Sequence, residues 1–163
     1  MGKIVYIMGK SSTGKDTLFK ELIRKNEFSF DTIVLYTTRP IREGERNGVE
    51  YNFVGEDDYQ KLLLEGKIIE ERSYNTFHGL WRYFTVDDGK VDFSKNYITI
   101  GTLESYEKIK AYYGEEKLAP VLVELDDGLR LQRALNREKK QATPKYQEMC
   151  RTVSYTHLTL PTT

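Results

Sequence analysis

The first uninterrupted apolar run is Ile4-Val5-Tyr6-Ile7-Met8, closed by a glycine. A short run of this kind predicts a strand buried on both faces of a sheet. From Lys15 to Lys25 the pattern changes, with Leu18, Phe19, Leu22 and Ile23 recurring at helical spacing. That spacing predicts an amphipathic helix, so the chain opens as strand, glycine-bearing loop and helix. Thr32-Ile33-Val34-Leu35-Tyr36 is β-branched and apolar and predicts a second buried strand. From Arg39 to about Asp88 charge, glycine and aromatic residues dominate, with one predicted helix near Asp57 to Glu65, and the stretch reads as an inserted lobe. Strands predicted at Tyr97–Ile100 and Ala119–Leu125 then flank a predicted helix over Leu103–Tyr113. Strands alternating with helices predict a parallel α/β fold. A strongly basic helix over Leu129–Lys140, a break at Gln141-Ala142-Thr143-Pro144 and a last segment from Lys145 to Arg151 complete the pattern.

Composition narrows this picture in three ways. The 163 residues and 19.1 kDa suit one domain with an inserted lobe rather than two full domains. The 25 basic and 25 acidic side chains cancel, so affinity for phosphate has to come from a local arrangement, and a nucleic-acid partner is not expected. The single cysteine, Cys150, has no internal disulfide partner, the amino-terminal apolar run is too short for a signal peptide, and no stretch approaches the roughly 20 apolar residues that cross a bilayer. A cytoplasmic setting with no membrane partner is therefore expected. Residues 153–163, Val153-Ser154-Tyr155-Thr156-His157-Leu158-Thr159-Leu160-Pro161-Thr162-Thr163, shift abruptly to a composition without acids, lysine or arginine. They resemble a translated cloning adapter, which leaves 1–152 as the expected domain.

The clearest chemical signal is Gly9-Lys10-Ser11-Ser12-Thr13-Gly14-Lys15, which satisfies G-x-x-x-x-G-K between a predicted strand and a predicted helix. Glycines let successive amide hydrogens point inward, the helix start adds partial positive charge, and Lys15 can reach the outer phosphates of a polyphosphate. The next position holds Asp16, followed by Thr17, where a serine or threonine usually serves magnesium. Asp16 binding the metal directly or through water, and Thr17 supplying a hydroxyl, both remain open.

A second phosphate site is read in Thr37-Thr38-Arg39-Pro40-Ile41-Arg42-Glu43-Gly44-Glu45-Arg46-Asn47-Gly48-Val49-Glu50-Tyr51-Asn52-Phe53. Arg39 and Arg42 offer planar donor forks and Tyr51 a hydroxyl, a set suited to a phosphate dianion. This stretch, together with the loop at Gly9 to Thr17, resembles the guanylate kinase family of P-loop nucleoside monophosphate kinases.

The resemblance runs from Met1 to about Thr152. It implies a P-loop kinase core with a doubly wound parallel sheet, an inserted monophosphate-binding lobe at about 37–88 and a helical lid at about 130–147. It also implies a chain that stops short of a further core strand and a closing helix. By the same resemblance Glu70 reads the purine ring, with Glu71 as its neighbouring rival, and His78 stands where another acceptor-binding side chain is expected. Arg133 and Arg137, four apart on the basic helix, are the preferred catalytic lid pair beside Lys15 and Arg39, while Arg130, Lys139, Lys140 and Arg151 add further charge. The implied reaction is transfer of a phosphoryl group from ATP, with Mg2+, to GMP, a cytoplasmic step of purine nucleotide metabolism. Leu35, Phe77-His78-Gly79-Leu80 and Gly101-Thr102-Leu103-Glu104 depart from the family's base-reading residues. They keep open a sugar-phosphate kinase, such as a ribose bisphosphate kinase, and a non-catalytic interaction module of the same fold. The sequence assigns no oligomeric state.

Overall fold

The computed structural model describes residues 1–154; most of the adapter-like segment, 155–163, lies outside the described residues. The apolar run at the start forms strand β1, Ile4–Gly9, and the helical spacing after it forms α1, Lys15–Lys25. β2 is Asp31–Thr32, β3 Tyr36–Thr37 and β4 Asn52–Phe53, followed by α2, Glu56–Leu64. β5, Ile68–Thr76, and β6, Gly79–Val86, make a hairpin. Then come β7, Tyr97–Ile100; α3, Leu103–Tyr113; β8, Leu118–Val123; α4, Asp127–Lys139; and α5, Tyr146–Ser154.

These strands build two sheets. The core sheet is four-stranded and parallel in the order β2-β7-β1-β8. Chain connections from β1 lead first to β2 on one side and later, through β7, to β8 on the other, so the loop after β1 opens at a topological switch point. Its core joins Ile4, Tyr6 and Met8 of β1 to Tyr97, Leu118 and the inner face of α3 at Tyr106 and Ile109. The lobe has its own four-stranded sheet in the order β4-β3-β6-β5, packed on Tyr59 of α2 through Phe84 and Val86.

One predicted element splits. The run Thr32–Tyr36 is not a single buried strand, because Asp31–Thr32 pairs with β7 in the core sheet while Tyr36–Thr37 pairs with β6 in the lobe sheet. Ile33-Val34-Leu35 carries the chain from one sheet to the other, with the Ile33 amide donating to Ile98 O and the Leu35 carbonyl accepting from the Asn52 amide. A continuous apolar run is compatible with this crossing because both of its ends enter hydrophobic surfaces. α1 is also less enclosed than its periodicity predicts, since none of its residues is fully buried. At the other end α5 runs through Val153 and Ser154, two residues past the boundary expected at Thr152, and Val153 packs with Met149 against Ala134 of α4.

Candidate active site

The loop from Gly9 to Lys15 wraps tightly on itself. The Thr13 hydroxyl donates to the Lys10 carbonyl at 2.8 Å, and Lys15 Nζ leans back to the same carbonyl at 3.4 Å. Gly9 is required by close approach: a Cβ there would lie 2.8 Å from both Thr13 Oγ1 and the Val123 carbonyl. Gly14 is required by conformation, with φ of 91° just before the first residue of α1. Asp16 and Thr17 follow Lys15 in the exposed first turn of α1.

The basic helix α4 lies against this loop. Arg130 is only 4% exposed, donating through Nη1 to the Ser11 carbonyl at 3.1 Å and the Val153 carbonyl at 3.3 Å. Its Nε and Nη2 bind Asp127 Oδ1 at 3.0 and 2.8 Å. Arg137 Nη2 donates to Ser12 Oγ at 3.3 Å, and a Cβ built on Gly14 would stand 3.5 Å from Arg133 Nη1. Arg133 and Arg137 are exposed at the loop, whereas Arg130 is a buried tie between the loop, α4 and α5.

In the lobe, Arg39 is buried at the end of β3. Its Nη1 and Nη2 form a fork on Glu45 at 3.1 and 2.8 Å, and Nη1 also donates to the Pro40 carbonyl at 2.9 Å. The guanidinium rests over Tyr51 and Phe53, with centroids at 5.6 and 5.5 Å. Glu45 also accepts from the Arg42 backbone amide at 2.8 Å, so one carboxylate ties the Arg39 guanidinium to the backbone of Arg42. The Arg39 guanidinium first, and the Arg42 amide second, hold the Glu45 carboxyl below the usual carboxylate range.

A group with a depressed folded pKa stabilises above its unfolded value, about 4.3 for glutamate, and that stabilisation is lost as pH falls through the folded pKa. Glu45→Gln is therefore expected to lower the melting temperature at neutral pH, with the gap to the parent closing as pH falls below about 4. Parallel melting curves across that range check it; a gap that stays constant with pH would contradict the assignment.

Glu70 sits on β5 with 3% exposure. Its Oε1 accepts from the Thr85 hydroxyl of β6 at 2.8 Å and its Oε2 from the Ser105 hydroxyl of α3 at 3.1 Å, so it joins lobe to core. Arg72 Nε lies 3.6 Å from the same Oε2. Burial, and then the Glu70 carboxylate, push the nearby Tyr6 phenol well above its usual range, keeping it a proton donor. The strand period separates Glu70 from its rival, because Glu71 points to the other face and accepts from the Tyr59 hydroxyl of α2.

A cleft of about 940 Å³ brings Gly9, Lys10, Ser11 and Lys15 opposite residues 71–74 of β5, with the start of α3 closing one side. Phosphate loop and lobe thus share one opening. His78 is not part of it: the residue is exposed at the tip of the β5–β6 hairpin, stacked on Trp81. Sequence reasoning missed Glu45, Arg72, Tyr83, Thr85 and Ser105. Glu45 lies inside the quoted arginine-bearing stretch and Arg72 two residues after Glu70, but only the hairpin register puts Arg72, Tyr83 and Thr37 in one row across the sheet.

Among the described residues no helix is long and apolar enough to cross a membrane, and no group of three or more His, Cys, Asp or Glu side chains forms a metal cluster.

Comparison with known proteins places this geometry. Residues 1–80 match the family model for guanylate kinase. The guanylate kinase of Schizosaccharomyces pombe is 40% identical over 68 residues, covering 42% of this chain and 34% of that protein. That of Campylobacter jejuni strain RM1221 is 34% identical over 94 residues, covering 55% of this chain and 46% of that one. The chain thus spans between a third and a half of the length of these relatives. In fold it is similar to the crystal structure of guanylate kinase from Anaplasma phagocytophilum, with a TM-score of 0.60 at 22% identity, over 83% of this chain and 67% of that one. The phosphate loop and the arginine-bearing stretch at 37–53 both lie inside the matched residues 1–80, so the likeness to the guanylate kinase family covers both, over just under half of the chain.

Proposed function

We propose that the chain transfers the γ-phosphoryl group of ATP to GMP, giving GDP and ADP, as a cytoplasmic step of purine nucleotide metabolism. The observation that carries this reading is the shared cleft, which sets Lys15 and the loop amides opposite β5 of the lobe, in the same sheet that carries the Arg39–Glu45–Arg42 cluster two strands away at the end of β3. The loop at Gly9–Lys15 takes the ATP phosphates, and Arg39, Arg42 and Tyr51 take the acceptor phosphate, with Glu70 at the base end. Three of the five N–H donors of Arg39 bind Glu45 and Pro40, which leaves two that these partners do not use.

In the reaction an acceptor phosphate oxygen forms a bond to the γ-phosphorus as the bond from that phosphorus to the bridging β-oxygen breaks, and ADP leaves with the electron pair. Charge spreads over the migrating group, so the protein contributes position and positive charge rather than covalent chemistry. Lys15 supplies charge from the donor side and Arg133 and Arg137 from the helix over the loop. The exposed carboxylate and hydroxyl of Asp16 and Thr17, directly after Lys15, fit a magnesium ion that keeps most of its water and phosphate ligands. When bound, that ion neutralises phosphate charge. Residues 1–152 act as one unit in this reading, with 37–88 as the acceptor lobe and 130–147 as the lid.

A coupled assay of ADP release on adding GMP to ATP and magnesium tests the reaction. GMP-dependent release is the expected result. No turnover with any nucleoside monophosphate, by a protein that ATP still stabilises thermally, would overturn it.

A further inference from the structure

At the base end of the cleft the carboxylate is covered and a guanidinium stands in front of it. The Glu70 side chain is 1% exposed and the Arg72 side chain 19%. Two residues apart on β5, both point to the same face, yet Arg72 lines the cleft and Glu70 does not. Both Glu70 oxygens already accept from hydroxyls, and Arg72 Nε is a buried donor, 3.6 Å from Oε2, without a hydrogen-bond partner among the described residues. That distance is an ion pair rather than a hydrogen bond, so Glu70 steadies the guanidinium without consuming its donors.

The geometry points to Arg72 as the residue that selects the acceptor's ring, by donating to two adjacent hydrogen-bond acceptors on a 6-oxopurine, with Glu70 as the residue that positions it. This inference rests on the reading of the lobe as a nucleoside monophosphate site. Arginine has five donors and no acceptor, and its planar fork matches O6 and N7 of guanine. Adenine offers N7 beside an amino group, so one donor of the fork would face another donor. Hypoxanthine has the same O6 and N7 as guanine and lacks only the 2-amino group.

The same sheet places ring and phosphate on one surface. Arg72, Tyr83 and Thr37 lie in register across β5, β6 and β3, two strand spacings of roughly 4.8 Å, and Arg39 follows at the end of β3. Tyr83 packs edge-on against Tyr74 and Tyr51, at 5.8 and 5.6 Å, forming an aromatic floor between the two guanidinium groups.

The test is equilibrium binding of GMP, IMP and AMP to the full chain and to Arg72→Ala, Arg72→Lys and Glu70→Gln. The parent is expected to bind GMP and IMP within about threefold of each other and AMP at least about tenfold more weakly. Arg72→Ala brings the three ligands within about threefold, and Arg72→Lys does the same, because it keeps the charge and loses the fork. Should the alanine variant fail to fold, the lysine variant carries the test. Glu70→Gln weakens GMP and IMP by the same factor, as a positioning residue requires. GMP binding more than about tenfold tighter than IMP, or a GMP-to-AMP ratio that both Arg72 variants leave unmoved, would overturn the inference and return ring recognition to Glu70. Failure of all three nucleotides to bind the parent would overturn the acceptor reading of the lobe, and this inference with it.

Discussion

Replacing Lys15 with alanine is expected to lower kcat for the proposed ATP-dependent GMP phosphorylation by about 10²- to 10³-fold, or ~3–4 kcal/mol of barrier, without unfolding the protein. The magnitude follows from what the ammonium does. In phosphoryl transfer the protein's contribution is mostly charge held where charge develops, and a preorganised donor removed from such a site costs this much. The stability side follows from what Lys15 touches in the free protein. Among the described residues the one hydrogen bond of its ammonium is a long contact, 3.4 Å, to the Lys10 carbonyl, a carbonyl that Thr13 also satisfies at 2.8 Å. Truncating Lys15 therefore leaves no buried group without a partner, and the unliganded melting temperature should stay within a few degrees of the parent. The thermal shift on adding ATP should shrink, because a ligand stabilises in proportion to the affinity it retains. ADP release within tenfold of the parent would contradict the placement of Lys15 at the migrating phosphoryl group.

How far the sequence carried this site depends on the range over which each residue's environment is decided. The phosphate loop is legible because everything that makes it is local: an apolar run, two glycines at fixed spacing, and a helical period beginning at Lys15. α2, α3 and α4 are legible for the same reason: the predicted bounds of α3 are the observed ones, and those of α2 and α4 differ by a residue or two. The β5–β6 hairpin is not, because neither face of it is simply apolar. Trp81, Tyr83 and Thr85 alternate with Arg82, Phe84 and Val86, so a period of two carries no hydrophobic contrast until the Phe84 and Val86 face packs on α2. Without the hairpin register, Arg72 is one more charge in a charged stretch. The split of Thr32–Tyr36 is hidden because the choice between sheets is made by Ile98 and Asn52, both remote in the chain.

Arg130 is the sharpest case, and it carries the second large effect. A basic residue on a basic helix reads as one more lid cation, but its partners are the Ser11 carbonyl, 119 residues away, and the Val153 carbonyl, 23 away. Arg130→Ala is expected to destabilise the fold by about 3 kcal/mol, since charge-assisted hydrogen bonds are lost and two carbonyls lose a donor. For a chain of this length that is a fall of roughly 6–12 °C in melting temperature. Little of it comes from the ion pair, because Asp127 is 74% exposed and screened by water. The weight lies on the carbonyl bonds and on packing of the buried stem. The variant should also bind ATP on the order of tenfold more weakly, because Ser11 belongs to the loop proposed to cradle the phosphates and misplacement of positioning groups is costly. Arg130→Met separates the two contributions by restoring apolar volume without donors, so it should recover part of the melting temperature and none of the ATP affinity. Arg133→Ala provides the contrast: exposed beside Gly14, it should leave the melting temperature within a few degrees and lower turnover. If Arg130→Ala melted within 2 °C of the parent, by this conversion less than about 1 kcal/mol, the residue would be a lid cation after all and the tie between loop, α4 and α5 would lie elsewhere.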